Sequence, residues 1–408
     1  MIDTLENLRK EFPLLSQKTP KGKSIIYLDN AATTQKPESV IEAMNNYYRN
    51  ENANIGRGIY WPATKTTENV RNTRKSIAEY LNCKSDSHII FTSGTTDGIN
   101  KIANYYLLPQ LNPGDEVIIS RLEHHSNILP WLYVCKQTGA SLKFLEINNE
   151  GVPDIMQLRN LINKKTKLVA LTAASNVTGC LPDLHEIIDI AHKNNCKVIV
   201  DAAQYIPHSK INVQDLNADF IVFSAHKIYG PTGLGIMYIR NLEDKHLKHF
   251  SPGGGMVKEI DFDSFSPLDA PYAFEGGTLP IAEIIGFGST LEFLSRIDHS
   301  VFHKIMESNT SLLKEKLQSI NEVDLFYPEI IRIPVFSFSV KNIHPHDMAT
   351  FLGQQGIAIR AGHMCAKPLI QSLHTDGSVC RVSLGMYNSS EEISNFAQMI
   401  KEAIKFFA

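Results

Sequence analysis

Apolar and polar positions along the chain alternate between short apolar runs and amphipathic segments of about ten residues. The runs at 88–92, 116–120, 141–145, 168–172, 197–200, 220–223 and 235–239 have strand length and are rich in Ile, Val, Leu and Phe. Between them, 99–106, 127–137, a segment ending at 158–163, and 183–194 carry helical spacing. Strands that are apolar throughout and separated by helices predict an α/β fold with a largely parallel sheet covered on both faces. Ahead of this block lie a short helix at 5–12, a strand at 25–29, helices at 37–49 and 66–81, and a Gly/Asn-rich loop at 50–60. A helix at 281–295 follows Gly276-Gly277-Thr278. The tail differs in texture: strands at 331–340, 357–360 and 380–384, a helix at 347–355 and a closing helix at 390–407 predict a smaller α+β domain.

Composition adds exclusions. The 408 residues are 43% hydrophobic and 20% charged, which rules out a disordered or low-complexity chain. A net charge of -3 gives no broad cationic surface for nucleic acid or an anionic membrane. No apolar run reaches the ~18 residues of a spanning helix, and residues 1–10 lack the apolar stretch of a secretory signal. Six scattered cysteines without a CxxC pair predict reduced thiols in a cytoplasmic protein, with no metal framework.

Candidate chemistry sits at strand ends. Lys227 follows the run 220–223 in Ser224-Ala225-His226-Lys227, before Gly230-Pro231-Thr232-Gly233. Asp201 ends the run 198–200 and precedes Ala202-Ala203-Gln204. Ligands of open α/β sheets bind beyond the carboxyl ends of the strands. Gly94-Thr95-Thr96-Asp97-Gly98, between a strand and a helix, offers backbone N–H groups and a helix start to an anion. It matches neither the dinucleotide nor the P-loop signature. A lysine for an aldehyde, an acid for a pyridine nitrogen and a cradle for one phosphate together suit pyridoxal 5'-phosphate. His124 and His125 follow another strand, where an imidazole can stack on the pyridine ring and exchange protons. Asn176 and Gln204 are candidate donors to the ring oxygen, and Ser224 and His226 to the phosphate. Alone, each has an ordinary explanation: a solvated lysine, a turn-capping carboxylate, a loop histidine. Their conjunction favours the cofactor.

The ordered stretches Tyr27-Leu28-Asp29-Asn30-Ala31-Ala32, Arg57-Gly58-Ile59, 94–100, Glu123-His124-His125-Ser126-Asn127, Ser175-Asn176, 201–204, 223–233, Phe274-Glu275-Gly276-Gly277-Thr278 and Arg360-Ala361-Gly362-His363-Met364-Cys365-Ala366 resemble the class V aminotransferase family, cysteine desulfurase/selenocysteine lyase group, over essentially the whole chain. The resemblance implies a pyridoxal-phosphate-dependent transferase type I fold. Its mainly parallel seven-stranded sheet would lie in a large domain at 21–295, with a small domain at 296–408 and a segment at 1–20 packing on the latter. It implies a homodimer, Lys227 as Schiff-base lysine and base, Asp201 on the pyridine nitrogen, His124 stacked on the ring, and Gln204 on the phenolic oxygen. Thr95, Thr96, Ser224 and His226 would hold phosphate, with Thr278 from the other subunit. Arg381 and Asn176 would grip the substrate carboxylate with Arg360 close by, and Arg57 would reach in from the partner.

Cys365 decides the reaction that the resemblance implies. Cys83, Cys135, Cys180, Cys196 and Cys380 read as small buried hydrophobes. Cys365 instead lies in a polar glycine-containing loop with Arg360 and Lys367 nearby, and cationic neighbours favour a thiolate. In the resembling group this residue accepts sulfur from L-cysteine, leaving L-alanine and a persulfide for a small sulfur-acceptor protein in iron–sulfur cluster assembly. Selenocysteine lyase, with L-selenocysteine as substrate, is the nearest alternative. A class V transaminase or epimerase and a non-catalytic partner of a sulfur-transfer complex are farther ones. Gly56 replaces the histidine common before the Arg57 equivalent, and the short connection into Cys365 resembles the compact-loop type.

Overall fold

The structure is a computed structural model that describes residues 2–247, 249–373 and 377–408. Seven strands form its central sheet in the spatial order Ile89–Thr92, Gly235–Ile239, Phe220–Ser224, Lys197–Asp201, Thr166–Thr172, Glu116–Ser120 and Ser141–Leu145. The last five pair in parallel. Gly235–Ile239 runs antiparallel to both of its neighbours, so the sheet is mixed rather than of one direction. The connection 225–234 explains this departure. It is shorter than the roughly dozen residues a parallel crossover needs, so the chain turns straight back.

Side-chain alternation divides the sheet between two cores. Ile118, Val169, Val198, Val200, Ile221 and Phe223 enter one apolar cluster, which also takes in the helices Trp61–Tyr80 and Ile281–Ser295. Val117, Ile119, Leu168, Ala170, Ile199 and Val222 enter the other, with Trp131 and Ile102. Both faces are therefore dry, which accounts for strands apolar along their whole length. Arg74 and Glu275, both nearly inaccessible, join a helix of one face to the loop before Thr278 through two hydrogen bonds of 2.7 and 2.8 Å.

Beyond residue 298 a four-stranded antiparallel sheet runs in the order Val323–Leu325, Val335–Val340, Val379–Ser383, Arg360–Gly362. It packs its Phe336 and Phe338 against the helices His299–Gln318 and Ser390–Phe407. Ser389 and Glu392 close a reciprocal capping box on the latter helix. Near the N-terminus, Phe12 is buried against Tyr387 at 4.7 Å and Phe293 at 5.7 Å. Arg9 pairs with Glu392 at 2.8 Å.

Several expected boundaries move for physical reasons. The strand expected from 331 begins at Val335, after Pro334, which has no N–H for a ladder. The segment 357–360 is split: Ile357–Ala358 pairs with Ile26–Tyr27, while Arg360–Gly362 joins the four-stranded sheet. The helix expected from 66 starts at Trp61, with Pro62 in its first turn. The twenty-residue helix His299–Gln318 has no counterpart in the sequence reading. Its polar surface masks the periodicity, although Asp298 caps Ser300 and Val301 as a start signal should.

Candidate active site

The carboxyl ends of the parallel strands converge on one edge. Ser120, Thr172, Asp201 and Ser224 end their strands there, and His124, Asn176, Gln204 and Lys227 follow in the adjoining turns. A cavity of about 340 Å³ opens at this edge. It is lined by Thr95, Thr96, His124, Asn176, Asp201, Gln204, Ser224, His226, Lys227, Arg360, Cys365 and Arg381, twelve of the fourteen residues singled out from sequence. Arg57 and Thr278 do not line it. Both are exposed on neighbouring loops, where Asn54 Nδ2 donates to Thr278 Oγ1 at 3.5 Å.

Charge in the cavity is held against desolvation. Burial pushes Lys227 down to about 8, opposed by the charge of Asp201. Burial likewise raises the Asp201 carboxyl, opposed by Lys227 and by the Ala203 N–H that Oδ1 accepts at 3.0 Å. Among the described residues neither group has an ion-pair partner within 4.0 Å. His124 is driven down to about 3, first by burial and then by Lys227. Its Nδ1 accepts the Ser126 N–H at 3.1 Å, so the neutral ring carries its proton on Nε2. Ser126 Oγ also meets Thr96 Oγ1 at 2.7 Å, linking His124 to the helix that starts at Thr95.

Pyridoxal phosphate fits this arrangement. A buried carboxylate without a cation matches a protonated pyridine nitrogen, and a buried amine that loses its proton near neutrality matches an aldehyde. Thr95 and Ser224 bring a backbone N–H and two hydroxyls together, with 2.8 Å between Thr95 N and Ser224 Oγ. Gly235 lets these segments approach, because a Cβ there would lie 2.5 Å from Gly94 Cα. His226 stands on the same turn, its Nδ1 3.1 Å from Thr33 Oγ1. The Gln204 amide donates to the Ala31 carbonyl at 2.7 Å while lining the cavity.

The opposite wall comes from the C-terminal part of the chain. Arg381 is 2% exposed and donates to the Asn176 carbonyl at 3.0 Å and to Asp29 Oδ1 at 2.9 Å. Arg360 grips the same Asp29 through Nε and Nη2. Met364 and Cys365 both sit at φ 52°, a left-handed conformation that costs about 1 kcal/mol or more for each side-chain-bearing residue. Hydrogen bonds hold the turn in place. The Met364 carbonyl accepts from Asn176 Nδ2 at 2.7 Å, the Cys365 carbonyl from His125 N at 2.6 Å, and His125 Nε2 from Lys367 N at 3.2 Å. Cys365 remains exposed. Cys135, Cys180, Cys196 and Cys380 are buried, and burial raises each thiol to about 11 or 12. Cys83, expected to be buried as well, is half-exposed and bonds the Ser85 carbonyl at 3.1 Å.

The model of aminotransferase class-V matches residues 26–396. The chain belongs to the class-V aminotransferase family. Within it, the chain falls in the cysteine desulfurase group. It is 38% identical over 400 residues to a probable cysteine desulfurase of Halalkalibacterium halodurans, covering 98% of both chains. It is 37% identical over 394 residues to a cysteine desulfurase of Escherichia coli K12, covering 96% of both. The crystal structure of an Escherichia coli cysteine desulfurase superposes with TM-score 0.91 at 35% identity, covering 100% of each chain. The apo structure of a cysteine desulfurase from Thermococcus onnurineus NA1 gives TM-score 0.93 at 32% identity, covering 100% of this chain and 99% of the other. Class-V members use pyridoxal phosphate, in keeping with the fit described above.

Some residues of this class-V site carry no sequence signal of their own. Asp29 lies 331 positions from the Arg360 that it binds, and only the pairing of distant sheets brings them together. Lys36 is pushed down to about 7 by burial and donates to the His226 carbonyl at 2.8 Å, next to Lys227. Asp29 and Ser126 both stand in stretches that carry the family resemblance, without a role of their own there.

Proposed function

We propose that this chain is a cysteine desulfurase that moves the sulfur of L-cysteine onto Cys365 and releases L-alanine. The observation that carries this is the placement of an exposed thiol, Cys365, on the rim of the cavity that holds Lys227, Asp201 and Arg381. When bound, pyridoxal phosphate supplies an electron sink conjugated to the substrate α-carbon. Lys227 would hold the cofactor and move the α-proton, and its burial keeps it near the pKa such a shuttle needs. Asp201 would face the ring nitrogen's positive charge. His124, neutral with its proton on Nε2, would lie against the cofactor as a proton donor. Thr95, Thr96, Ser224 and His226 would hold the phosphate, and Gln204 the phenolic oxygen. Arg381, with Asn176 and Arg360, orients the substrate carboxylate by the paired donors that guanidinium offers.

Cys365 attacks the substrate sulfur as a thiolate. The carbon–sulfur bond breaks as the sulfur–sulfur bond forms, and the carbon fragment keeps the electron pair and takes a proton to leave as alanine. The resulting persulfide passes its outer sulfur to a thiol of a small acceptor protein for iron–sulfur cluster assembly, restoring the Cys365 thiolate. We assign residues 21–295 to a large cofactor domain, 296–408 to a small domain, and 1–20 to a segment packing on the latter.

A homodimer is supported by surface area. The single chain exposes 18431 Å², against the roughly 16,000 Å² expected of a monomer of this mass. Ile59, Tyr60 and Trp61, next to Arg57 in the chain, stand exposed, and so does Phe262 in the hairpin loop between 257–260 and 265–267. Arg57 and Thr278 would then complete the partner's site. Among the described residues no helix is long and apolar enough to cross a membrane, and six unpaired cysteines suit the cytoplasm.

The test is alanine release from L-cysteine under reducing conditions with saturating cofactor, comparing wild type with Cys365→Ala. The desulfurase predicts turnover in wild type and at least a hundredfold loss in the variant, with L-selenocysteine less affected. Equal release by both proteins would remove Cys365 from its role, and no release from either would point to transamination.

A further inference from the structure

A second cavity, larger than the catalytic one, lies beside the central sheet. A cleft of about 880 Å³, against about 340 Å³ for the catalytic cavity, opens between the helix His299–Gln318 and the turns that follow Gln204 and Lys227. Its floor is apolar: Ile206, Ile228, Tyr229, Ile297, Phe302 and Ile333 are all at most 5% exposed. Its mouth is polar, with Ser209, Lys210, His299, His303 and Glu307 exposed around it. Volume and lining fall in the range of small-molecule sites, a mostly apolar concavity with a few convergent polar groups.

The charges are not balanced. Two side chains of the lining are permanent cations, Lys210 and Arg332, and one is a carboxylate, Glu307. Glu307 is already engaged by His303 at 3.2 Å. Among the described residues Arg332 has no carboxylate within ion-pair distance. It donates to the Thr178 carbonyl at 3.0 Å and to that of Tyr327, while its Nε is buried without a partner. Burial pushes this guanidinium down to about 10, only partly opposed by Cys180 and by the charge of Glu329, which itself pairs with Lys314 at 2.8 Å. Lys210 projects over Tyr80 at 5.6 Å from the ring, at the edge of the same cleft. His208, also lining the cleft, is pushed down to about 4 by burial, and so offers a neutral hydrogen-bonding nitrogen rather than a third charge.

We propose that this cleft is a second ligand site, separate from the catalytic cavity, for an amphipathic monoanion: an aryl carboxylate or sulfonate whose apolar body fills the floor while its charge lies toward Lys210 and Arg332. An apolar ligand without charge would leave the excess cation uncompensated. A dianion would oppose Glu307. The walls include the two residues directly after Lys227, so an occupant touches the turn that carries the catalytic lysine from its far side.

The experiment uses the holoenzyme and 8-anilinonaphthalene-1-sulfonate as probe, titrated calorimetrically, with uncharged N-phenyl-1-naphthylamine as control. One saturable site per chain is expected for the sulfonate. Lys210→Met, an exposed substitution outside the catalytic machinery, should weaken it three- to tenfold while leaving the neutral control and cysteine turnover unchanged. Thr310→Trp, which places an indole in the cleft, should abolish binding of both probes with the unfolding midpoint preserved. The proposal is overturned if wild type shows no saturable site. It is also overturned if Lys210→Met binds the sulfonate as tightly as wild type, or if folded Thr310→Trp still binds it. Should Thr310→Trp fail to fold, Lys210→Met alone decides.

Discussion

Asp29 Oδ1 accepts a hydrogen bond from Arg381 Nη2 at 2.9 Å, and the same carboxylate is gripped by Arg360, so an internal acid lies on both guanidinium groups assigned to the substrate carboxylate. Two cations and one anion leave a single net positive charge, which suits one incoming carboxylate. Substrate must share or displace Asp29, and charge-assisted bonds to a buried arginine are among the stronger ones. Asp29→Asn should therefore lower the KM for L-cysteine several-fold and strengthen inhibition by simple monocarboxylates. The loss of an anchor for half-exposed Arg360 should reduce kcat. A KM that rises tenfold at unchanged kcat would show that Asp29 organises the arginines rather than competing for them.

The lowered pKa of Lys227, about 8, makes cofactor capture pH-dependent. Only the neutral amine attacks an aldehyde, so at pH 7 about a tenth of the chains are competent. The rate at which apoprotein takes up pyridoxal phosphate should rise close to tenfold per pH unit below 8 and level off above it. Asp201 holds the proton on Lys227, so Asp201→Asn should move the midpoint downward even as it weakens retention of the cofactor. Stopped-flow absorbance across pH 6 to 10 reads both. A wild-type midpoint near that of an ordinary lysine would contradict the burial on which the shift depends.

Strand ends were the legible part of this molecule. An apolar run followed by Asp201 or Lys227 signals both a buried strand and a reactive group at its mouth, because a dry two-faced sheet tolerates charge only at its edge. The closing helix was equally plain from its Ser390-Glu391-Glu392 start, although the cap itself is Ser389, one residue earlier. Long-range geometry was not legible. The mixed direction of the sheet depends on a connection too short to cross over, and the Asp29–Arg360 and Arg74–Glu275 pairs join residues separated by 331 and 201 positions. Helix His299–Gln318 escaped because its stability comes from packing one narrow stripe, Phe302, Leu313 and Leu317, under a largely polar surface. The large cleft beside it was invisible for the same reason.

His125 latches the turn that carries Cys365. Its N–H donates to the Cys365 carbonyl, and its Nε2 accepts the Lys367 N–H. Protonation removes the acceptor. Burial lowers the His125 pKa, helped by His363 and Lys367, so the folded state binds this proton less readily than the unfolded chain does. The contribution is thus complete above the ordinary histidine range and is lost as pH falls through it. Protection of the 363–367 amides, relative to their intrinsic exchange rates, should fall as pH drops below the ordinary histidine range. In His125→Leu protection should already be low at pH 7, with little further change. Protection that falls equally in both proteins would detach the latch from His125.

The buried Arg74–Glu275 pair gives the largest stability effect. Glu275 also accepts the Phe91 N–H at 2.7 Å, and Arg74 donates to the Ile89 carbonyl and stacks over the Phe91 ring at 4.1 Å. Breaking such a pair from one side strands a buried charge at a cost of about 3–5 kcal/mol, whereas replacing both partners by apolar residues is close to neutral. Glu275→Leu should therefore lower the urea midpoint sharply, and Arg74→Met/Glu275→Leu should recover much of that loss. The single change should also weaken cofactor retention, because Glu275 anchors the loop that leads to Thr278. A double variant as unstable as the single one would mean that the Phe91 and Ile89 backbone contacts, not the uncompensated charge, dominate the site.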